Sequence, residues 1–151
     1  MTDYELYLLP AQLADDGDDG VRPLELALGA EERGEPGLLD APTRQRLLER
    51  VLVELPAFRP VPGADPPELS DGSAVIEFWP HYVLVVVPLA RTDDGWTGID
   101  HALAAARALT RVAELVLCDP YLGRRVEPER DRDRVVGAFD AATLYAARNG
   151  A

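Results

Sequence analysis

From Tyr82 to Val87 the chain reads "YVLVVV", six successive apolar positions with no polar residue to break the run. A strand with one wet face alternates apolar and polar residues. A run like this one fits a strand buried on both faces and central in its sheet. Just before it, Ser73–Trp79 is a second strand-like run, and Pro80-His81 between the two predicts a hairpin. The chain must therefore cover both faces of at least one strand, and the remaining elements are read against that need.

"YELYLLP" (residues 4–10) reads as a strand with Tyr4, Leu6 and Leu8 on one face and Glu5, Tyr7 and Leu9 on the other. Residues 40–56 predict a helix, with Asp40 or Ala41 before Pro42 in its first turn and Leu47, Leu48, Val51, Leu52 and Leu55 as an apolar stripe. A second helix is expected from Thr97, with Ile99, Leu103, Ala106, Leu109 or Thr110, and Ala113 on its buried face and Thr97–Asp100 resembling a capping box. Leu115–Cys118 is the next strand, Asp119-Pro120 opens a turn that Gly123 can close, and "RRVEP" can return as an edge strand. A last helix carries Val135 or Val136, Phe139, Ala142 and Ala146 inward and stops at Asn149-Gly150.

Strand, helix, strand, strand, helix, strand and helix give an α+β fold, the ferredoxin-like split β-α-β sandwich with an added C-terminal helix. Its sheet order, 4-1-3-2, makes the third strand central, which is where Tyr82–Val87 falls. The first two helices cover one face only. The C-terminal helix, through Phe139, is expected on the second face, or failing that a homodimer through the open face. Residues 1–151 make a single domain. Within it, about residues 11–40 form an acidic, Gly/Pro-rich segment expected to be mobile, with Leu24, Leu26 and Leu28 as a short strand-like contact.

The net charge is −12, and all 15 basic residues are arginines. Phosphate contacts need a cationic face, so nucleic acid is not an expected partner. A single cysteine, Cys118, makes neither a disulfide nor a zinc pair. "DDGDDG" (residues 15–20) lacks the alternating ligands and distal glutamate of a calcium loop and reads as solvated. No metal and no cofactor are expected. The start "MTDYELYLLP" has no basic region and no apolar run is long enough to cross a bilayer, so a cytoplasmic protein without a membrane partner is expected.

The topology places Leu89, the start of the second helix and Cys118-Asp119 at one end of the sheet. His81 falls at the other end, about eight strand residues or ~26 Å away. At the near end Asp100, His101, Asp119 and Tyr121 can meet, with Trp96 as a lid, in a pocket holding a general base. The plain alternative makes His101 a surface residue and Asp119 a turn former. Cys118 reads as a small buried hydrophobe, and Trp79 as either core packing or an interface anchor.

"FWPHYVLVVVPLA" (residues 78–90) and "ALTRVAELVLCDPYLGRRVEP" (residues 108–128), with "YELYLLP" ahead of them, resemble small bacterial proteins, many of them actinobacterial. These pair an N-terminal strand ending in proline with a terminal Cys/Tyr-Asp-Pro segment. Tyr121 stands where many of them have glutamine. The resemblance implies an immunity- or antitoxin-like role for some members and brings no catalytic residues.

The expectation is thus a non-enzymatic acidic domain that binds and neutralises a basic protein partner. Asp15–Asp19, Asp93 and Asp94 would steer the encounter, and Trp79 and Trp96 would anchor it. The alternative is a small-molecule-binding or enzymatic domain built on His101, Asp119 and Tyr121.

Overall fold

A computed structural model describes residues 3–13, 21–89 and 97–149. Seven strands form one antiparallel sheet: β1 (Asp3–Pro10), β2 (Arg59–Pro60), β3 (Glu68–Ser70), β4 (Val75–Phe78), β5 (Val83–Pro88), β6 (Leu115–Asp119) and β7 (Arg124–Val126). Among the described residues four α-helices accompany it: α1 (Val21–Glu32), α2 (Ala41–Glu54), α3 (Thr97–Thr110) and α4 (Arg132–Arg148). The strand order is β2-β3-β4-β5-β1-β6-β7. The apolar run is therefore central, between β4 and β1. The fold is α+β, with three more strands than a four-stranded sheet: β2 and β3 outside β4, and β7 outside β6. Both added strands on the β4 side come from a connection whose prolines hid them. Pro60 sits in the outermost strand, where a missing backbone donor leaves no ladder bond unmade.

Alternation along the strands sorts the core into two layers. Tyr4, Leu6, Leu8, Val83, Val85 and Val87 join one apolar cluster, and Tyr7, Leu9, Tyr82 and Leu84 join the other. On the first face lie α2, α3 and α4. Asp40 caps α2 by accepting the Thr43 N–H at 2.8 Å, and Leu47 and Val51 are its buried residues. Alanines 102, 105, 106 and 108 let α3 approach the sheet closely. At Gly98 the approach is tight enough that a Cβ would stand 2.7 Å from Val87 Cγ1 and 2.9 Å from the Ser73 carbonyl oxygen.

Two expectations about the second face need correction. Phe139 and the rest of the α4 stripe pack with α2 and α3 on the first face, Phe139 edge-on to Tyr4 with ring centroids 5.7 Å apart. The reason is width. Six interstrand spacings of ~4.8 Å make a sheet about 29 Å across, and two helices at 8–10 Å each cover about 20 Å of it. The first face takes a third helix, and Arg132 at the start of α4 is tied to Asp100 of α3 by paired hydrogen bonds of 2.7 and 3.1 Å.

The second face is covered by α1, in a segment read from the sequence as loop with a short strand. Its buried residues are Pro23, Ala27 and Ala30, while Leu26 and Leu28 of the strand-like reading are exposed. Of the three leucines in the strand-like reading only Leu24 packs against the second-face cluster, partly buried, and the fully buried positions are proline and alanine, so the helix shows little hydrophobic period. A Schellman motif ends it. Glu35 N–H donates to the Ala30 carbonyl, Gly34 N–H to that of Glu31, and Gly34 takes φ +66°.

Candidate functional site

The expected hairpin is present, closed by the Trp79 N–H on the Tyr82 carbonyl. However, β4 is flanked by β3, so Trp79 is not on an edge strand as expected. The β6 ladder is also staggered. Cys118 pairs with Tyr7, which pairs with Leu84, so Cys118 lies level with the start of β5 and not with Leu89. That places it three residues from the level of His81, about 10 Å along the strand. Among the described residues no group of His, Cys, Asp and Glu has the arrangement of a metal site. No helix among them is long and apolar enough to cross a membrane.

The residues expected to share one pocket are separated: Asp100 pairs with Arg132 of α4, and Asp119 with Tyr121, and His101, lie in two different groups. In the first, the fully buried Asp119 accepts the Tyr4 hydroxyl at 2.5 Å through Oδ2, and the N–H groups of Tyr121 and Leu122 at 2.9 and 3.2 Å through Oδ1. Tyr121 stacks on Tyr4 at 4.3 Å and donates its hydroxyl to the Asp3 carbonyl at 2.8 Å. Burial pushes the Asp119 carboxyl above the usual range while these three donors pull the other way. Burial likewise raises the hydroxyls of Tyr4 and Tyr121. Gly123 closes the turn on Pro120, at φ +63°.

In the second group, His101 Nδ1 lies 2.6 Å from Asp71 Oδ2 and 3.0 Å from Ser73 Oγ. The Asp71 carboxylate also accepts the Ser73 and Ala74 N–H groups and the Ser73 hydroxyl. Burial works against its ionisation, but the bonds from Ser73, Ala74 and His101 outweigh it and hold its pKa low. Serine and aspartate meet the same ring nitrogen, so a Ser–His–Asp relay, which needs one on each nitrogen, is not formed. Asp93, Asp94 and Trp96, and residues 14–20 with the acidic run, lie outside the described residues.

A third group was not read from the sequence and lies on the second sheet face. Trp79, Tyr82 and Tyr7 form an aromatic strip, with centroids 6.0 Å apart for the first pair and 5.5 Å for the second. The polar tips of this strip reach carboxylates. Trp79 Nε1 donates to Glu77 at 2.8 Å, and the Tyr7 hydroxyl to Glu5 at 2.9 Å. Glu77 stands directly opposite Glu68 across β3 and β4. Burial pushes the Glu77 carboxyl upward, the Trp79 indole opposes this, and Glu68, Glu5 and Asp3 push it further up. No arginine among the described residues pairs with Glu5, Glu68 or Glu77. The alternation pattern places these acids on one face, but only the β3–β4 register brings two of them opposite.

Like charges directly across a ladder destabilise a sheet by roughly 0.2–1 kcal/mol. Glu77→Gln is therefore expected to raise the unfolding free energy at neutral pH by about 0.5–1 kcal/mol. The raised carboxyl sets the sign. Ionisation of Glu77 costs folding free energy above its folded-state pKa, and the cost vanishes as pH falls below the ordinary glutamate range. Urea titrations of both proteins across this range should converge in acid. Parallel curves at all pH values would show that Glu77 carries no such repulsion.

In comparisons with protein-family models, curated proteins and solved structures, the chain matches none.

Proposed function

We propose that this protein is a non-enzymatic binding domain of the immunity type, which takes a basic protein partner at the β3–β4 side of its second sheet face, where Glu68, Glu77 and Trp79 stay partly exposed beside α1. The observation that carries the reading is the cross-strand pair Glu68–Glu77, held together with Glu5 beside the Trp79–Tyr82–Tyr7 strip. A carboxylate pair that repels in the free protein is relieved by a cation from a partner, and the half-buried Trp79 offers apolar contact next to it. The net charge of −12 adds long-range attraction of the same sign. A ferredoxin-like core is part of this proposal. The order β4-β5-β1-β6 and the placement of α2 and α3 on one face support it, with β2, β3, β7, α1 and α4 as additions.

The test is affinity capture at low and high salt, using wild type and the Glu68→Gln/Glu77→Gln double variant. The wild type should retain a basic protein at low salt and release it at high salt. The double variant should retain much less of it while melting no lower than wild type. Equal retention by both proteins, or no basic protein held by the wild type at low salt, would overturn the reading.

A further inference from the structure

We propose that His81 is a pH-operated latch that holds α1 over the second sheet face and lets it go when the ring loses a proton. Pro23, Ala27 and Ala30 are the buried residues of α1, and Ala27 and Leu24 belong to the apolar cluster that contains Tyr7, Tyr82 and Cys118. Beyond Gly34 the chain runs as a strap across the β4–β5 turn. Leu39 N–H donates to the Pro80 carbonyl at 2.9 Å, and at Gly37 a Cβ would stand 3.0 Å from that same oxygen.

His81 sits beneath this strap, only 2% exposed. Nδ1 lies 2.5 Å from Glu31 Oε2, in the last turn of α1, and Nε2 lies 3.1 Å from the Pro36 carbonyl oxygen, in the strap. Both partners are acceptors. A neutral imidazole carries one N–H, and only the imidazolium donates from both nitrogens. Loss of one proton sets a ring lone pair against a carboxylate or a carbonyl oxygen in a buried place, which opposes the α1–strap closure.

The charged and titratable groups around the latch come from several elements. Glu31 belongs to α1. Glu35 belongs to the strap, and its carboxyl is held low by Arg33 first and also by His81. Arg44 of α2 lines the same groove as Glu31 and donates to the Leu39 carbonyl at 3.2 Å. Tyr82 follows the ring in sequence, its hydroxyl raised by burial and by Glu31.

Cys118 is a built-in reporter, since it is 0% exposed within the cluster that α1 completes. The experiment measures alkylation of Cys118 in the full chain at about pH 5.5 and about pH 8.5, on either side of the imidazole range. Each rate is divided by that of the urea-unfolded chain at the same pH, which removes the thiol's own ionisation. The normalised rate should rise about tenfold or more at the higher pH, equivalent to ~1.4 kcal/mol. Hydrogen exchange over Val83–Pro88 should stay slow at both pH values, marking the opening as local. His81→Gln should label with no pH dependence, and Glu31→Gln, a milder change near the surface, should show a reduced rise. A normalised rate that is the same at both pH values would overturn the proposal. So would a full rise retained in either variant.

Discussion

Asp119→Ala is expected to lower the unfolding free energy by about 2–4 kcal/mol, roughly 4–16 °C in melting temperature for a domain of this size. Two effects compete. Removing the carboxylate ends the burial cost that raises its pKa, which favours the variant. It also strands the buried Tyr4 hydroxyl and the half-buried N–H groups of Tyr121 and Leu122. Each unsatisfied donor costs about 1–3 kcal/mol, so three of them outweigh one relieved carboxyl. Asp119→Asn separates the two effects. Its side-chain oxygen keeps the two backbone N–H groups, and the Tyr4 hydroxyl can turn to accept from the amide. A loss below about 1.5 kcal/mol is therefore expected. The asparagine variant should also lose one component of pH dependence. A carboxyl raised on folding contributes stability below its unfolded-state pKa and loses it as pH rises through the folded one. Thermal and urea unfolding of the three proteins check this. An alanine variant as stable as wild type would remove the role assigned to Asp119.

Gly98→Ala should cost about 1–3 kcal/mol, although alanine favours a helix over glycine by ~1 kcal/mol. The clash wins because neither contact is the end of a flexible chain. The added Cβ meets a methyl of the buried Val87 at 2.7 Å and the backbone carbonyl of Ser73 at 2.9 Å. Relief requires α3 to tilt off the sheet, and this pulls His101 away from Asp71 and Ser73. The His101 ring resonances should shift along with the loss of stability. Val87→Ala in the same chain removes one of the two contacts and should make Gly98→Ala less costly than it is in the wild type. A stabilised Gly98→Ala variant would mean that α3 does not pack this closely.

Local pattern carried the first face of this protein. The Tyr82–Val87 run announced a central strand, and the alternation in Tyr4–Leu9 assigned each side chain to its layer. The stripe from Leu47 to Leu55 and the Asp40 cap defined α2. These features depend on residues two to four positions apart, and periodicity reports that range directly. The turn at Asp119 was legible for the same reason, since its backbone partners are two and three residues away.

What only tertiary structure decided involves longer reach. Helix α1 buries Pro23, Ala27 and Ala30 and packs only one leucine, Leu24, against the sheet, which leaves little hydrophobic period to read. The sheet's width of seven strands drew α4 to the first face; the edge strand β7 was legible in "RRVEP", but β2 and β3 are two and three residues long and lie among prolines. The partners that matter most are far apart in the chain: Tyr4 with Asp119, Glu31 with His81, Asp71 with His101. Each pair joins elements whose separation is set by strand register and stagger. A one-residue slip in that register would reverse every side chain's face, and nothing local in the sequence records it.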